Sequence, residues 1–99
     1  MWYLSVMREK TLERKLVDAV KGIGGLAMKF VSPGLDGVPD RLVLLPHGRI
    51  AFVECKAAGG NLRVLQVKRK DQLEALGFSV YCLDSKDQIG GVLRDIRGT

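Results

Sequence analysis

The chain has 99 residues, 46% of them hydrophobic and 27% charged, with a formal net charge of +5. That length makes one domain, residues 1–99, with one modest core. No apolar run reaches the length of a membrane span and no secretory signal opens the chain: Met1-Trp2-Tyr3-Leu4 is too short and has no basic flank before it. A cytoplasmic protein with no membrane partner is therefore expected. The positive charge leans toward a polyanion partner, but many basic proteins of this size bind no nucleic acid. Cys55 and Cys82 both fall in predicted strands, where they are expected to pack as small apolar residues in a reducing compartment.

Arg8 to Lys21 places Leu12, Leu16, Val17, Val20 and Ile23 at helical spacing and predicts an amphipathic helix. Glu9 and Glu13 fall inside its apolar arc, away from Arg14, Asp18 and Lys21. A carboxylate on a packing face is costly unless paired, hydrogen-bonded or ligated. Each is thus either an ion pair at the edge of the stripe or a functional group. Gly22, Gly24 and Gly25 stop the helix. They make no phosphate loop, because no helix follows and no Lys-Ser/Thr pair is present. Leu26 to Val31 predicts a strand with Lys29 on its polar side. The loop Ser32-Pro33-Gly34-Leu35-Asp36-Gly37 leads into Asp40. Its backbone N–H groups, with Ser32 and Lys29, either meet a phosphate or simply connect two strands.

Leu42 to Leu45 and Ile50 to Lys56 predict two strands joined by Pro46-His47-Gly48-Arg49, a connection of hairpin length. Residues two apart on a strand share a face, so Glu54 and Lys56 point one way and Cys55 the other. A hairpin brings the start of its first strand beside the end of its second, which sets Asp40 near Glu54 and Lys56. Charges at strand ends commonly face solvent. Here, however, Phe52-Val53-Glu54-Cys55-Lys56 closes a nearly unbroken apolar run, as expected of a central strand. Two carboxylates and an ammonium in that place make a metal site with a catalytic cation beside it. His47, alone in a turn, reads as a surface residue.

Ala57-Ala58-Gly59-Gly60-Asn61 is a flexible loop. Leu62 to Leu76 then predicts a helix with Leu62, Leu65, Leu73 and Leu76 facing inward. Gln66 lies on the same arc, and a buried Gln needs hydrogen-bond partners. Arg63, Lys68, Arg69 and Lys70 form a basic patch, suited either to solvent or to a phosphate backbone. Gly77 ends the helix, Phe78 to Leu83 predicts a strand, and Lys86 to Arg97 a closing helix. The order is α-β-β-β-α-β-α, an α/β chain.

Gly37-Val38-Pro39-Asp40-Arg41, then Phe52-Val53-Glu54-Cys55-Lys56, then Gln66 after a Gly-rich loop together resemble the VRR-NUC family of nucleases. This family is a branch of the PD-(D/E)xK, restriction-endonuclease-like superfamily. The resemblance runs from about Glu9 to about Leu83, and the short chain looks like the standalone form of phages and bacteria. Leu12-Glu13-Arg14-Lys15-Leu16-Val17 is similar to the matching helix of archaeal Holliday-junction resolvases. The resemblance implies a restriction-endonuclease-like core, with a central mixed sheet flanked by helices, and metal-dependent hydrolysis of DNA. Asp40, Glu54 and the backbone carbonyl of Cys55 are expected to hold Mg²⁺ or Mn²⁺, with Glu13 as the helical ligand and Glu9 in reserve. Lys56 is expected to act on the attacking water and Gln66 to position substrate or water. Lys29, Ser32, Arg63 and Arg69 are expected to contact the nucleic acid. The implied particle is a homodimer acting on branched or junction DNA, phage-encoded and working inside the host cell. A non-catalytic binding module of the same fold and an RNA-directed nuclease remain the alternatives.

Overall fold

In the computed structural model, which describes residues 2–98, the stripe Leu12, Leu16 and Val20 is buried along one helix. This helix, α1 (Trp2–Gly22), begins upstream of the predicted Arg8, since nothing in Tyr3 to Met7 breaks a helix. The Trp2 side chain lies outside the described residues. Gly25 then brings the chain against the sheet: a Cβ there would stand 2.6 Å from a Leu45 methyl and 2.7 Å from the Leu44 carbonyl oxygen.

The strands are β1 (Leu26–Lys29), β2 (Arg41–Leu45), β3 (Arg49–Cys55) and β4 (Val80–Leu83). They lie side by side in chain order. The first three are antiparallel, and β4 joins parallel to β3 after the crossover helix α2 (Val64–Ala75). A parallel neighbour requires such a crossover. A 3₁₀ turn at Pro46–Gly48 closes the hairpin and another at Lys86–Gln88 leads into α3 (Ile89–Arg97). The predicted order of elements and the mixed sheet are both present.

One face of the sheet carries the core. Val43, Leu45, Ala51, Val53 and Cys55 pack with Leu83 against Leu12, Leu16 and Val20 of α1 and Ile89, Leu93 and Ile96 of α3. The opposite face, set by the other strand parity, holds Leu42, Phe52 and Glu54 and lies beneath α2. Phe52 packs there between Phe30, tilted against it, and Phe78, edge-on to it, with ring centroids 5.4 and 5.9 Å away.

Three expectations about packing need correction. Leu65 is 44% and Leu76 73% exposed, so they do not face inward. The arc that α2 turns to the protein is Gln66, Arg69, Lys70 and Leu73, a mostly polar stripe at positions i, i+3, i+4 and i+7. Leucine count misled because this helix covers the part of the sheet that carries charge. Cys82 is exposed, unlike Cys55: its register partner is Glu54, so it lies on the sheet face away from the core, on an edge strand. β1 stops at Lys29, leaving Val31 67% exposed in the following loop.

Candidate active site

The β2–β3 register pairs Arg41 with Val53, so Asp40, one residue earlier, stands opposite Glu54. Two backbone contacts fix Asp40. Its carbonyl accepts the Phe30 N–H at 2.8 Å, and its Oδ2 accepts the Cys55 N–H at 3.0 Å. Gly37 sets the approach of this loop: its φ is +85°, and a Cβ would meet the Leu65 carbonyl oxygen of α2 at 2.6 Å. Only a residue without a Cβ takes both that conformation and that contact comfortably.

Glu54 is 4% exposed on a central strand. Burial pushes its carboxyl up from 4.5 to about 9, and the Asp40 carboxyl, within hydrogen-bonding reach, pushes in the same direction. The Lys56 ammonium, two residues along on the same face, pulls the other way, while the charge of Glu9 adds to the rise. Gln66, the buried residue of α2, donates from Nε2 to Glu54 Oε2 at 3.3 Å and accepts the Arg63 N–H on Oε1 at 2.8 Å. A single amide thereby ties the start of α2 to the acid on β3. The Cys55 side chain points into the core, where burial pushes its thiol up to about 12. What Cys55 offers the site is backbone.

Asp40, Glu54, Lys56 and Gln66 are thus brought together, and the neighbouring Arg63 lines a cleft of about 490 Å³ with Gly37 and Gln66. The other expected residues lie elsewhere. Glu13 is held by Arg41, Nε to Oε2 at 2.6 Å, and Arg41 also donates to the Ala27 carbonyl at 3.1 Å. Arg41 shares the core-side parity of Val53, so this pair sits on the face opposite Glu54. The charge of Glu13 bears on Cys55; that of Glu9 bears on Glu54. Lys29 pairs in register with Arg41 and also falls on that opposite face. Ser32 is half-buried in the loop, its carbonyl accepting the Leu35 N–H. Arg69 lines an apolar groove with Phe30, Leu35 and Val38, its Nη1 on Gln72 and its Nε buried without a partner. Lys70 is neutralised by Glu74 at 3.0 Å.

The donor set fits a hard cation. With no cation supplied, burial and the facing Asp40 carboxylate both favour the protonated form of Glu54. Among the described residues no group of three or more His, Cys, Asp or Glu side chains is placed to hold a metal ion. The carboxylates that meet at this point are the pair Asp40 and Glu54, which leaves most of a cation's coordination positions to backbone, water or other oxygens. Mg²⁺ is commonly bound by one or two carboxylates in this way.

A mixed sheet with an acid pair and a lysine where its central hairpin ends is the architecture of the restriction-endonuclease-like nucleases. A solved structure described as "VRR_NUC domain" superposes with a TM-score of 0.83 at 27% identity, covering 88% of this chain and 95% of its own. "Putative nuclease p44" of Acyrthosiphon pisum secondary endosymbiont phage 1 is 52% identical over 84 residues, 85% of this chain and 90% of that protein. No family model matches the sequence. The chain belongs to the VRR-NUC family of nucleases. Among the described residues no helix is long and apolar enough to cross a membrane.

Proposed function

We propose that the chain is a Mg²⁺- or Mn²⁺-dependent deoxyribonuclease, with Asp40, Glu54 and the Cys55 carbonyl as metal ligands. The observation that carries this reading is the meeting of the buried Glu54 with Asp40 beside Lys56, an arrangement of like charges that is costly to the fold. Such an ion, when bound, supplies charge neutralisation on the phosphate and a water acidic enough to attack at neutral pH. The protein's part is to place the groups. Lys56 orients the attacking water and offsets charge growing on the phosphate oxygens. Gln66 holds the Glu54 carboxyl in one orientation, and Asp40 is held by the Cys55 N–H. Glu9 takes the role of helical carboxylate in place of Glu13, because Glu9 acts on Glu54 while Glu13 is committed to Arg41.

The substrate is branched or junction DNA and the particle a homodimer, which sets two such sites across one branch. Apolar surface on α1 (Tyr3 65%, Leu4 46% and Met7 44% exposed) and on the part of the Phe52–Glu54 sheet face that α2 leaves open (Leu26 57%, Met28 44% and Ile50 41%) supports self-association. Labelled four-way junction, flap, duplex and single-stranded DNA, with RNA alongside, would be incubated in Mg²⁺, Mn²⁺ and EDTA. Metal-dependent cutting of the junction is expected from wild type, with Asp40→Ala and Glu54→Ala reduced at least about a thousandfold. Normal cutting by either variant would overturn the mechanism. Tight binding without cutting in any metal would replace the nuclease with a binding module.

A further inference from the structure

Lys56 has a second neighbourhood. It lines a groove of about 300 Å³ between α1 and the turn that opens the closing helix, together with Arg8 and Lys15 of α1 and Asp84, Ser85 and Lys86 of the turn. Four cations thus face one carboxylate, Asp84. None of Arg8, Lys15, Lys56 and Lys86 is ion-paired among the described residues, and the first two and the last are exposed. Ser85, another lining residue, accepts the Asp87 N–H on its Oγ at 3.2 Å. Arg8 and Lys15 are two helical turns apart on one side of α1, about 10 Å along the axis. A stacked strand advances about 3.4 Å per nucleotide, so that spacing spans roughly three phosphates. Lys10, Arg14 and Lys21, on other sides of the same helix, are equally exposed and line no such groove.

We propose that this groove is a subsite for the phosphodiester backbone, carrying one strand away from the reacting bond across Arg8, Lys15 and Lys86. It rests on the nuclease reading, because Lys56 is shared between the groove and the reacting centre.

Binding is measured by fluorescence anisotropy with a labelled single strand in EDTA, between about 50 and 200 mM salt. Wild type is compared with the triple variant Arg8→Ala, Lys15→Ala, Lys86→Ala and with the charge-matched control Lys10→Ala, Arg14→Ala, Lys21→Ala. The groove variant should bind about tenfold more weakly, with a salt slope shallower by about two, as the loss of three strand contacts predicts. The control should weaken binding less than about threefold, through general charge alone. Equal losses in the two variants, or no loss in the first, would overturn the subsite. In cleavage the groove variant should lose on KM; an equal fall in kcat would move these residues into the reacting centre and also overturn it. Metal-dependent hydrolysis of bis(4-nitrophenyl) phosphate by wild type, a diester with no neighbouring phosphates, reads the nuclease separately. Its failure would refute the nuclease while the binding comparison still judged the groove.

Discussion

The acid pair makes the metal-free protein lose stability as pH rises. Folded, Glu54 titrates at about 9, first because it is buried and then because Asp40 faces it; unfolded, it returns toward 4.5. Between those values the folded chain keeps a proton that the unfolded chain gives up. Stability therefore falls with each upward step in pH, and the loss is complete only above the folded value. At about 1.4 kcal/mol per pKa unit the ceiling is roughly 6 kcal/mol. Water at the half-exposed Asp40 and Lys56 screens the charged form and leaves about 2–3 kcal/mol of effect. Glu54→Gln is the perturbation to use. Its amide keeps the shape of the protonated acid, still accepts from Gln66 and donates to Asp40, but cannot ionise. In EDTA the two proteins should melt close together near pH 5 and diverge toward pH 9, with the variant the more stable. At about 4–8 °C per kcal/mol for a chain of this size, the gap should reach roughly 10–20 °C. All other groups titrate in both proteins and largely cancel. Excess Mg²⁺ at high pH should then raise wild type, by about 2.7 kcal/mol at a hundredfold excess over Kd, and leave the variant where it was. Parallel melting profiles in EDTA would refute the reasoning, and equal gains from Mg²⁺ would remove Glu54 from the metal site.

Glu9→Gln should cut metal-dependent cleavage about 10–100-fold with little change in melting, whereas Glu13→Gln should cost about 1–2 kcal/mol of stability by stranding Arg41 and cleave more nearly as wild type. The opposite pattern would return Glu13 to the metal. Gly37→Ala should lose about 2–3 kcal/mol in chemical denaturation, from a φ of +85° and a contact of 2.6 Å with the Leu65 carbonyl oxygen. A midpoint equal to wild type would show that the loop bearing Asp40 is not seated on α2. Gln66→Met should cost about 1–3 kcal/mol, since it leaves the Arg63 N–H without its acceptor and Glu54 without its donor. Its kcat should fall as well; a stability loss with kcat intact would make Gln66 purely structural.

Strand parity made the heart of the site legible from the sequence. Once Pro46 to Arg49 closes a hairpin, Asp40 must lie beside Glu54, and Lys56 must share the face of Glu54. The polar stripe of α2 was half legible. Gln66 could be placed inward by helical spacing, but Leu65 and Leu76 competed for the same arc, and hydrophobicity cannot tell which face meets a charged surface. The partner of Glu13 was hidden for a related reason. A helical period places a carboxylate on a packing face but does not reveal its partner, and Arg41, on a strand 28 residues later, is that partner. Lys86 joins Arg8 and Lys15 only through tertiary contact between α1 and the last turn. The seven-residue spacing on α1 was the sole trace of the groove that sequence could hold.

The division of labour between the two sheet faces follows from these costs. The face under α1 and α3 is apolar from Val43 to Cys55 and supplies the cohesion; the face under α2 gives up part of its area to Asp40, Glu54 and Gln66. A small domain holds about 5–15 kcal/mol in all, so a penalty of about 2–3 kcal/mol at one carboxyl is a large share. Whatever cation relieves that penalty binds the folded chain alone and adds directly to its stability. On the proposed metal-dependent mechanism, stability and catalysis are therefore coupled through one residue. Conditions that strip the metal at high pH should weaken the fold and silence the site together.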